Sequence, residues 1–178
     1  SRNIFFQLEN MSFHAYPISN PNVMEAHIFQ LKKDIPAELG GGVMWLSVGS
    51  PRNAPYLPYL GNISKTYKAY QEKSTKYNDK SWYWTVSHIN ELVAAHPKQF
   101  GTKVIDEMKD LEKNWIAEQD QTNKELSQLV QTDPAAAQEK ADTVSLARAE
   151  KTFKRLKAIE AKLVKESGEK ASSKNTKS

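Results

Sequence analysis

The loop from Gly49 to Gly61 holds the side chains of this sequence that are best suited to binding chemistry. Arg52 carries a planar, permanently charged fork that matches a carboxylate, and Asn53 can both donate and accept hydrogen bonds. Tyr56 and Tyr59 can line a small-molecule pocket. Three prolines stiffen the same loop, so an alternative in which the tyrosines only pack against a core fits the sequence equally well.

The four histidines are the residues with which the chain could hold a metal ion. His88 and His96 lie eight residues apart on one predicted helix, about two turns, so they share a face without reaching one ion. His14 and His27 lie near predicted strand ends, with Glu25 two residues from His27. No HExxH spacing and no cysteine is present, so we expect neither a metal site nor a cofactor. His27 remains a candidate for substrate binding.

Two serines are the remaining nucleophile candidates. Ser50 lies between Gly49 and Pro51, which does not match the GxSxG turn of serine hydrolases, so a role in the loop is favoured. Ser1 could use its own terminal amine as a base, but it has no supporting motif, and a remnant of cloning explains it more simply. The 178 residues contain no cysteine, which excludes a thiolate nucleophile and a disulfide within them.

Composition and charge limit the classes of protein to which this sequence can belong. The chain is 39% hydrophobic and 26% charged, which is ordinary for a folded soluble protein. A net charge of +4 is too small to indicate binding to nucleic acid or to an anionic membrane. No apolar run approaches the roughly 18 residues that span a bilayer, and no signal pattern opens the sequence. We expect a cytoplasmic protein.

The sequence divides into two parts of different composition. Six of the seven glycines, seven of the eight prolines and fifteen of the seventeen aromatic residues lie in residues 1–101. From Thr102 onward the composition is that of long helices. We therefore predict a strand-rich segment over 1–101, a helical hairpin over 102–166 and a disordered tail over 167–178.

The first part predicts strands around a glycine turn. Ile4 to Leu8 is one possible strand, and Glu25 to Leu31 alternates as a second. Lys32 to Gly42 supplies a turn with three consecutive glycines. Val43 to Val48 is nearly continuous in apolar residues, which predicts burial on both faces. If its partner strands are missing, its edges are exposed, and we expect a homo-oligomer formed through this sheet.

The second part predicts two long helices after a shorter one. The shorter helix begins near Ser81 and ends at about Ala95. A second helix covers about 102–130, and a third begins at Asp133-Pro134 and ends at about Lys165. Residues 102–178 hold 15 basic and 14 acidic side chains, so a solvated antiparallel hairpin is favoured over a nucleic-acid arm.

Several strings in the first part resemble one known family. They are Ala15-Tyr16-Pro17-Ile18-Ser19, Met24 to Leu31, Asp34 to Glu38, Gly42 to Leu46, Gly49-Ser50-Pro51-Arg52-Asn53, Pro55 to Tyr59, Tyr67 to Tyr70 and Ser81-Trp82-Tyr83-Trp84. Together they resemble the C-terminal portion of the PepD-type dipeptidases, which are N-terminal-nucleophile hydrolases related to the secernins. The resemblance extends from about Ala15 to Phe100.

The resemblance implies an α+β protein, part of an αββα sandwich followed by the helical hairpin. It implies hydrolysis of dipeptides with broad side-chain tolerance, by a cysteine at a mature N-terminus that lies outside this sequence. The chain alone is then an inactive C-terminal fragment with a dipeptide as the substrate of the complete enzyme. Arg52, Asn53, Tyr56 and His27 are the candidate substrate-binding residues. The alternative is a non-enzymatic module in which the helical hairpin mediates assembly.

Overall fold

The computed structural model describes Asn20 and residues 22–168 of an α+β protein, the predicted fold class. The predicted strand at Ile4 to Leu8, His14, Ser1 and the predicted tail from residue 169 onward lie outside the described residues. The elements are β1 (Glu25–Leu31), a 3-10 turn (Ala37–Leu39), β2 (Gly42–Val48), β3 (Leu57–Leu60), α1 (Lys68–Gln71), α2 (Trp82–Ala95), α3 (Pro97–Thr132) and α4 (Pro134–Ser167).

The three strands form one antiparallel sheet in the order β1-β2-β3. The predicted hairpin of β1 and β2 is confirmed, with Ile28 opposite Trp45 in the register. Its turn needs glycine for two physical reasons. Gly40 and Gly41 have φ angles of +86° and +64°, in the region that L-residues rarely adopt, and a Cβ on Gly42 would lie 2.5 Å from the carbonyl oxygen of Gln30.

Strand β3 corrects the prediction that all of residues 49–61 is loop. Pro58 lies within it, opposite Trp45 of β2, and proline argues against a strand in sequence. The strand is nevertheless possible because β3 is at an edge of the sheet, where a missing N–H group is tolerated. The same topology corrects the expectation of exposed edges on β2, since β2 is paired on both sides.

Helices cover the sheet unevenly. A large core joins β3 to α2, to the first half of α3 and to the second half of α4, while a smaller core joins the β1–β2 turn to the α3–α4 turn. Val43 is buried, as predicted for β2, but Met44 and Leu46 are only half-buried. Strand β1 is the least covered, with Phe29 69% and Leu31 82% exposed.

The predicted helices are present, with one shifted boundary. Ser81 caps α2 by accepting a hydrogen bond from the backbone N–H of Trp84, and Asp133 caps α4 through the N–H of Ala136 at 2.9 Å. Helix α3 begins at Pro97 instead of Thr102, since proline is well suited to a first helical position. The break in composition therefore lies inside the first turns of α3, and the division into domains stays a prediction.

Candidate functional site

A groove of about 530 Å³ lies between the β1–β2 hairpin and the middle of α3. Its volume is within the range of small-molecule sites. The lining residues are Ile28, Phe29, Gln30 and Lys32 from β1 and its end, Trp45 from β2, Tyr56 from the loop before β3, and Glu112, Ile116, Gln119 and Asp120 from α3.

The apolar walls of the groove follow from the register of the hairpin. Ile28 and Trp45 are direct cross-strand partners, so their side chains leave the sheet on the same face. The indole Nε1 of Trp45 donates a 3.2 Å hydrogen bond to Oε1 of Gln30, which fixes the ring against β1. Ile28 and Ile116 are 52% and 60% exposed, so both walls present apolar surface to anything that enters the groove.

Glu112 supplies the carboxylate at one end of the groove. Its Oε1 accepts a 3.0 Å hydrogen bond from the backbone N–H of Tyr56, which ties the loop to α3. Burial raises the pKa of Glu112, opposed by that hydrogen bond and by the charge of Lys109. Burial and the charge of Glu112 raise the pKa of the Tyr56 phenol. Within the described residues the second oxygen of Glu112 accepts no hydrogen bond.

The other end of the groove carries an ion pair. The Nζ of Lys32 lies 2.5 Å from Oδ1 of Asp120. The hydrogen bond and the charge of Lys32 lower the pKa of Asp120. This end is therefore close to neutral, whereas Glu112 forms no ion pair with a described residue and gives the opposite end a negative charge whenever it is ionised.

The predicted site residues of the loop are separated by the structure. Tyr56 borders the groove. Arg52 is exposed outside it and makes no hydrogen bond or ion pair with any described residue. Asn53 is buried beneath the loop, where its Nδ2 donates to Oδ1 of Asn90 at 2.8 Å. The Oδ1 of Asn53 is buried without a partner among the described residues, so this side chain is held in place but not fully satisfied.

His27 is not among the residues that line the groove, and the register places it on the face of β1 opposite to Ile28 and Trp45. Alternation along the strand places it with Phe29, whose ring stacks with the imidazole at 6.1 Å between centroids. Its Nε2 is 4.0 Å from a carboxylate oxygen of Glu25, a weak surface pair. The roles of Arg52, Asn53, Tyr56 and His27 in binding stay predictions.

Sequence reasoning missed Glu112 and Trp45. Glu112 lies four residues after the buried Met108, so the helical period places a carboxylate next to the stripe that packs on the sheet. This four-residue spacing was the feature of the sequence from which the position of Glu112 could have been predicted. Trp45 was assigned to a buried strand, and only the position of α3 shows that its ring borders an open groove.

Among residues 22–168, no three His, Asp or Glu side chains are grouped so that they could hold a metal ion. None of the described helices combines the length and the apolar character needed to cross a lipid bilayer.

Comparison with known proteins identifies a family model that matches this chain. The model of peptidase family C69 matches residues 7–110. That stretch includes the whole sheet, the loop with Tyr56 and helix α2, and it ends two residues before Glu112.

Similar proteins carry dipeptidase names. The probable dipeptidase B of Streptococcus pyogenes serotype M3 is 88% identical over 153 residues, which cover 86% of this chain and 31% of that protein. A probable dipeptidase of Latilactobacillus sakei is 31% identical over 94 residues, covering 53% of this chain and 20% of that protein. Dipeptidase A of Lactobacillus helveticus is 35% identical over 78 residues, covering 44% and 15%. The chain thus spans about 31% of the length of the most similar of these relatives.

Proposed function

Because this chain belongs to peptidase family C69, we propose that it is the C-terminal part of a dipeptidase, a hydrolase that cleaves the peptide bond of dipeptides with broad side-chain tolerance. The dipeptidase names of its relatives support this reaction. Since the chain spans only 31% of the length of the probable dipeptidase B, we assign the remaining parts of the active site to sequence outside these 178 residues.

The groove between the β1–β2 hairpin and α3 is the structural observation that best supports this proposal. A dipeptide has a positively charged α-amine, and the free oxygen of Glu112 offers that amine a charged acceptor. Ile28, Trp45 and Ile116 offer apolar walls that accept side chains of different shape. A site that combines one charged contact with open apolar walls fixes the peptide backbone while it tolerates varied side chains.

The predicted binding residues have unequal places in this proposal. Tyr56 contacts the peptide, since it borders the groove beside Glu112. Asn53 positions the loop through Asn90, and the exposed Arg52 is free to pair with a peptide carboxylate. His27 does not line the groove, so we assign it a contact with other parts of the protein rather than with the peptide.

We propose a cysteine nucleophile at the mature N-terminus of the complete enzyme, as the resemblance to the PepD-type dipeptidases implies; the 178 residues themselves contain no cysteine. The terminal amine takes the thiol proton, and the thiolate attacks the carbonyl carbon of the peptide bond. A C–S bond forms, the C–N bond breaks, and the leaving amine receives the proton. Water then hydrolyses the thioester and restores the thiol. The proposal includes an αββα sandwich, a cytoplasmic location and a chain that is inactive alone.

Fragment complementation tests the proposed function. The part of the probable dipeptidase B that precedes its match to this chain is purified alone, and this 178-residue chain is purified as the C-terminal part, alone and combined with the first. We expect dipeptide hydrolysis only from the combined parts and from the intact protein, and its loss after alkylation of cysteine. Hydrolysis by the 178-residue part alone would contradict the proposal, because that part holds no cysteine.

The alternative function is assembly through the α3–α4 hairpin. One observation favours it, the large apolar side chain of Ile116, which is 60% exposed on α3. If the hairpin mediates assembly, Ile116→Lys converts an oligomer of this chain to a monomer, as measured by sedimentation velocity. If Ile116 instead serves as a wall of the peptide groove, the same variant leaves the assembly state unchanged and weakens peptide binding.

A further inference from the structure

A second groove, of about 440 Å³, lies between α3 and α4 on a different face of α3 from the first. Its lining residues are Trp115, Glu118, Gln121 and Thr122 from α3, and Val144, Ala147, Arg148 and Lys151 from α4. None of these residues lines the groove at Glu112, so this feature has no part in the proposed peptide hydrolysis.

Arg148 is the unusual residue of this second groove because it is a buried cation with mainly neutral partners. Only 6% of the residue is exposed. Its two terminal nitrogens donate to Oε1 of Gln119 at 2.6 Å and to Oγ1 of Thr122 at 2.9 Å. The nearest carboxylate in an ion pair, that of Glu118, is 3.9 Å away on a side chain that is 53% exposed. Buried charges are normally paired directly with an opposite charge.

Lys151 adds a second positive charge beside the first. Its Nζ lies 5.1 Å from the centroid of the Trp115 ring, and the guanidinium carbon of Arg148 lies 5.8 Å from the same centroid. Lys151 forms no ion pair with a described residue. Burial lowers the pKa of Arg148, opposed by the charge of Glu118, so the surroundings only partly compensate this cation.

We propose that this groove binds a carboxylate of a peptide, with Arg148 and Lys151 as its two cationic contacts. Arginine presents a fixed fork that matches a carboxylate, and donors remain on the guanidinium after its bonds to Gln119 and Thr122. Glu118 lies at the rim and competes with the incoming carboxylate for the guanidinium. A purely structural role for Arg148, as a link between α3 and α4, predicts no such binding.

Fluorescence anisotropy with two labelled peptides tests the proposal on the 178-residue chain. One peptide alternates glycine and glutamate and has both ends blocked, and the other is polyglycine with a free C-terminal carboxylate. Binding of the first identifies side-chain carboxylates as the ligand, and binding of the second identifies a terminal carboxylate. In either case we expect binding to weaken steeply as the salt concentration is raised from about 50 to about 200 mM.

Three variants separate ligand binding from structure. Lys151→Gln is expected to weaken binding about three-fold without changing thermal stability, since Lys151 is exposed. Glu118→Gln is expected to strengthen binding about two-fold by removing the competing carboxylate. Arg148→Gln is expected to abolish measurable binding. Lys162→Gln is the matched control, because it removes the same charge from α4 about three turns away.

The Lys151, Glu118 and Lys162 variants test the proposed site even if Arg148→Gln does not fold. Weaker binding in Lys151→Gln together with tighter binding in Glu118→Gln supports the site, provided that Lys162→Gln binds like the original chain. If neither peptide binds, the proposal is overturned. It is also overturned if Lys151→Gln and Lys162→Gln weaken binding equally, because only a nonspecific attraction to a basic helix then remains. Loss of peptide hydrolysis in the complementation experiment would leave this result unaffected.

Discussion

The phenolic hydroxyl of Tyr77 donates a 2.7 Å hydrogen bond to Oε1 of Glu160, although 83 residues separate the two in sequence. The same oxygen accepts a 2.8 Å bond from Nδ1 of His88, and Lys157 pairs with the other oxygen. Glu160 is buried, so its carboxylate replaces water with three donors from three parts of the chain. This carboxylate therefore joins the segment before α2, α2 itself and α4.

We expect low pH to lower the free energy of unfolding, because protonation removes the negative charge of Glu160. Burial alone would raise the pKa of Glu160, but the hydrogen bonds from His88, Lys157 and Tyr77 lower it overall. A lowered pKa means stability that is present above the unfolded value of about 4.5 and lost as pH falls through the folded value. We expect Glu160→Gln to lower the free energy of unfolding by about 1–3 kcal/mol at pH 7 and by less at pH 3.5.

Urea denaturation at the two pH values measures this effect. Glu139→Gln is the matched control on α4, because Glu139 is exposed and forms no ion pair with a described residue. An equal loss of stability at both pH values would show that Gln disturbs packing and that the charge of Glu160 is not the cause.

Asp142 should stabilise the loop after β3 about as strongly as Glu160 stabilises its own contacts. It is buried on α4, and its oxygens accept bonds from the N–H and hydroxyl of Ser64 at 2.7 and 2.6 Å and from the N–H of Lys65 at 3.0 Å. We expect Asp142→Ala to cost about 2–3 kcal/mol in urea denaturation, because it leaves these donors without their acceptor. Asp110→Ala, an exposed position on α3, should change stability by less than about 0.5 kcal/mol.

Substitution by alanine should destabilise the fold at Gly49 and stabilise it at Gly101. Gly49 has φ +100°, and a Cβ there would lie 2.5 Å from Cγ1 of Val86. Gly49→Ala should therefore cost about 2–4 kcal/mol, from backbone strain and overpacking together. Gly101 is in α3 with open space around the position of its Cβ, so Gly101→Ala should stabilise by about 0.5–1 kcal/mol. Thermal unfolding of both variants checks the prediction, and stabilisation by Gly49→Ala would refute it.

The elements that sequence reasoning placed correctly are those with strong local signals. Ser81 and Asp133 are caps whose side chains can bond to the next turn regardless of the rest of the fold. Strand β3 was missed because its only evidence is pairing with β2, a non-local fact that Pro58 hides. Gly101 suggested a boundary, yet a half-buried glycine with open space around the position of its Cβ is tolerated within a long helix.

The candidate site was predicted only in part for the same reason. The loop chemistry pointed to Tyr56, which does border the groove. The groove itself exists because α3, which carries Glu112, lies beside β1 and β2. The sequence separation between Tyr56 and Glu112 is 56 residues. His27 and Trp45 are in adjacent strands but on opposite faces, which only the register reveals.

Glu112→Gln should distinguish binding from chemistry in the complete enzyme. Glutamine keeps an acceptor for the N–H of Tyr56, so the loop is retained while the negative charge is lost. We expect KM for dipeptides to rise about ten-fold or more with a smaller change in kcat, since the lost contact holds the amine of the substrate. Glu91→Gln, an exposed position on α2, is the control. Dipeptides with a blocked amine should show no difference between the Glu112 variant and the original enzyme.

The open strand β1 should make this chain associate when it is studied alone. Phe29 and Leu31 are 69% and 82% exposed on one face of the strand, and β1 carries neither proline nor lysine, the residues that commonly protect sheet edges. We propose a homo-oligomer formed through β1, and Leu31→Lys should shift it to the monomer in light scattering. Ala94→Lys, which adds the same charge at an exposed position of α2, should leave the mass unchanged. A monomer at every concentration would show that β1 does not mediate self-association, and loss of the oligomer in Ile116→Lys alone would assign the contact to the α3–α4 hairpin.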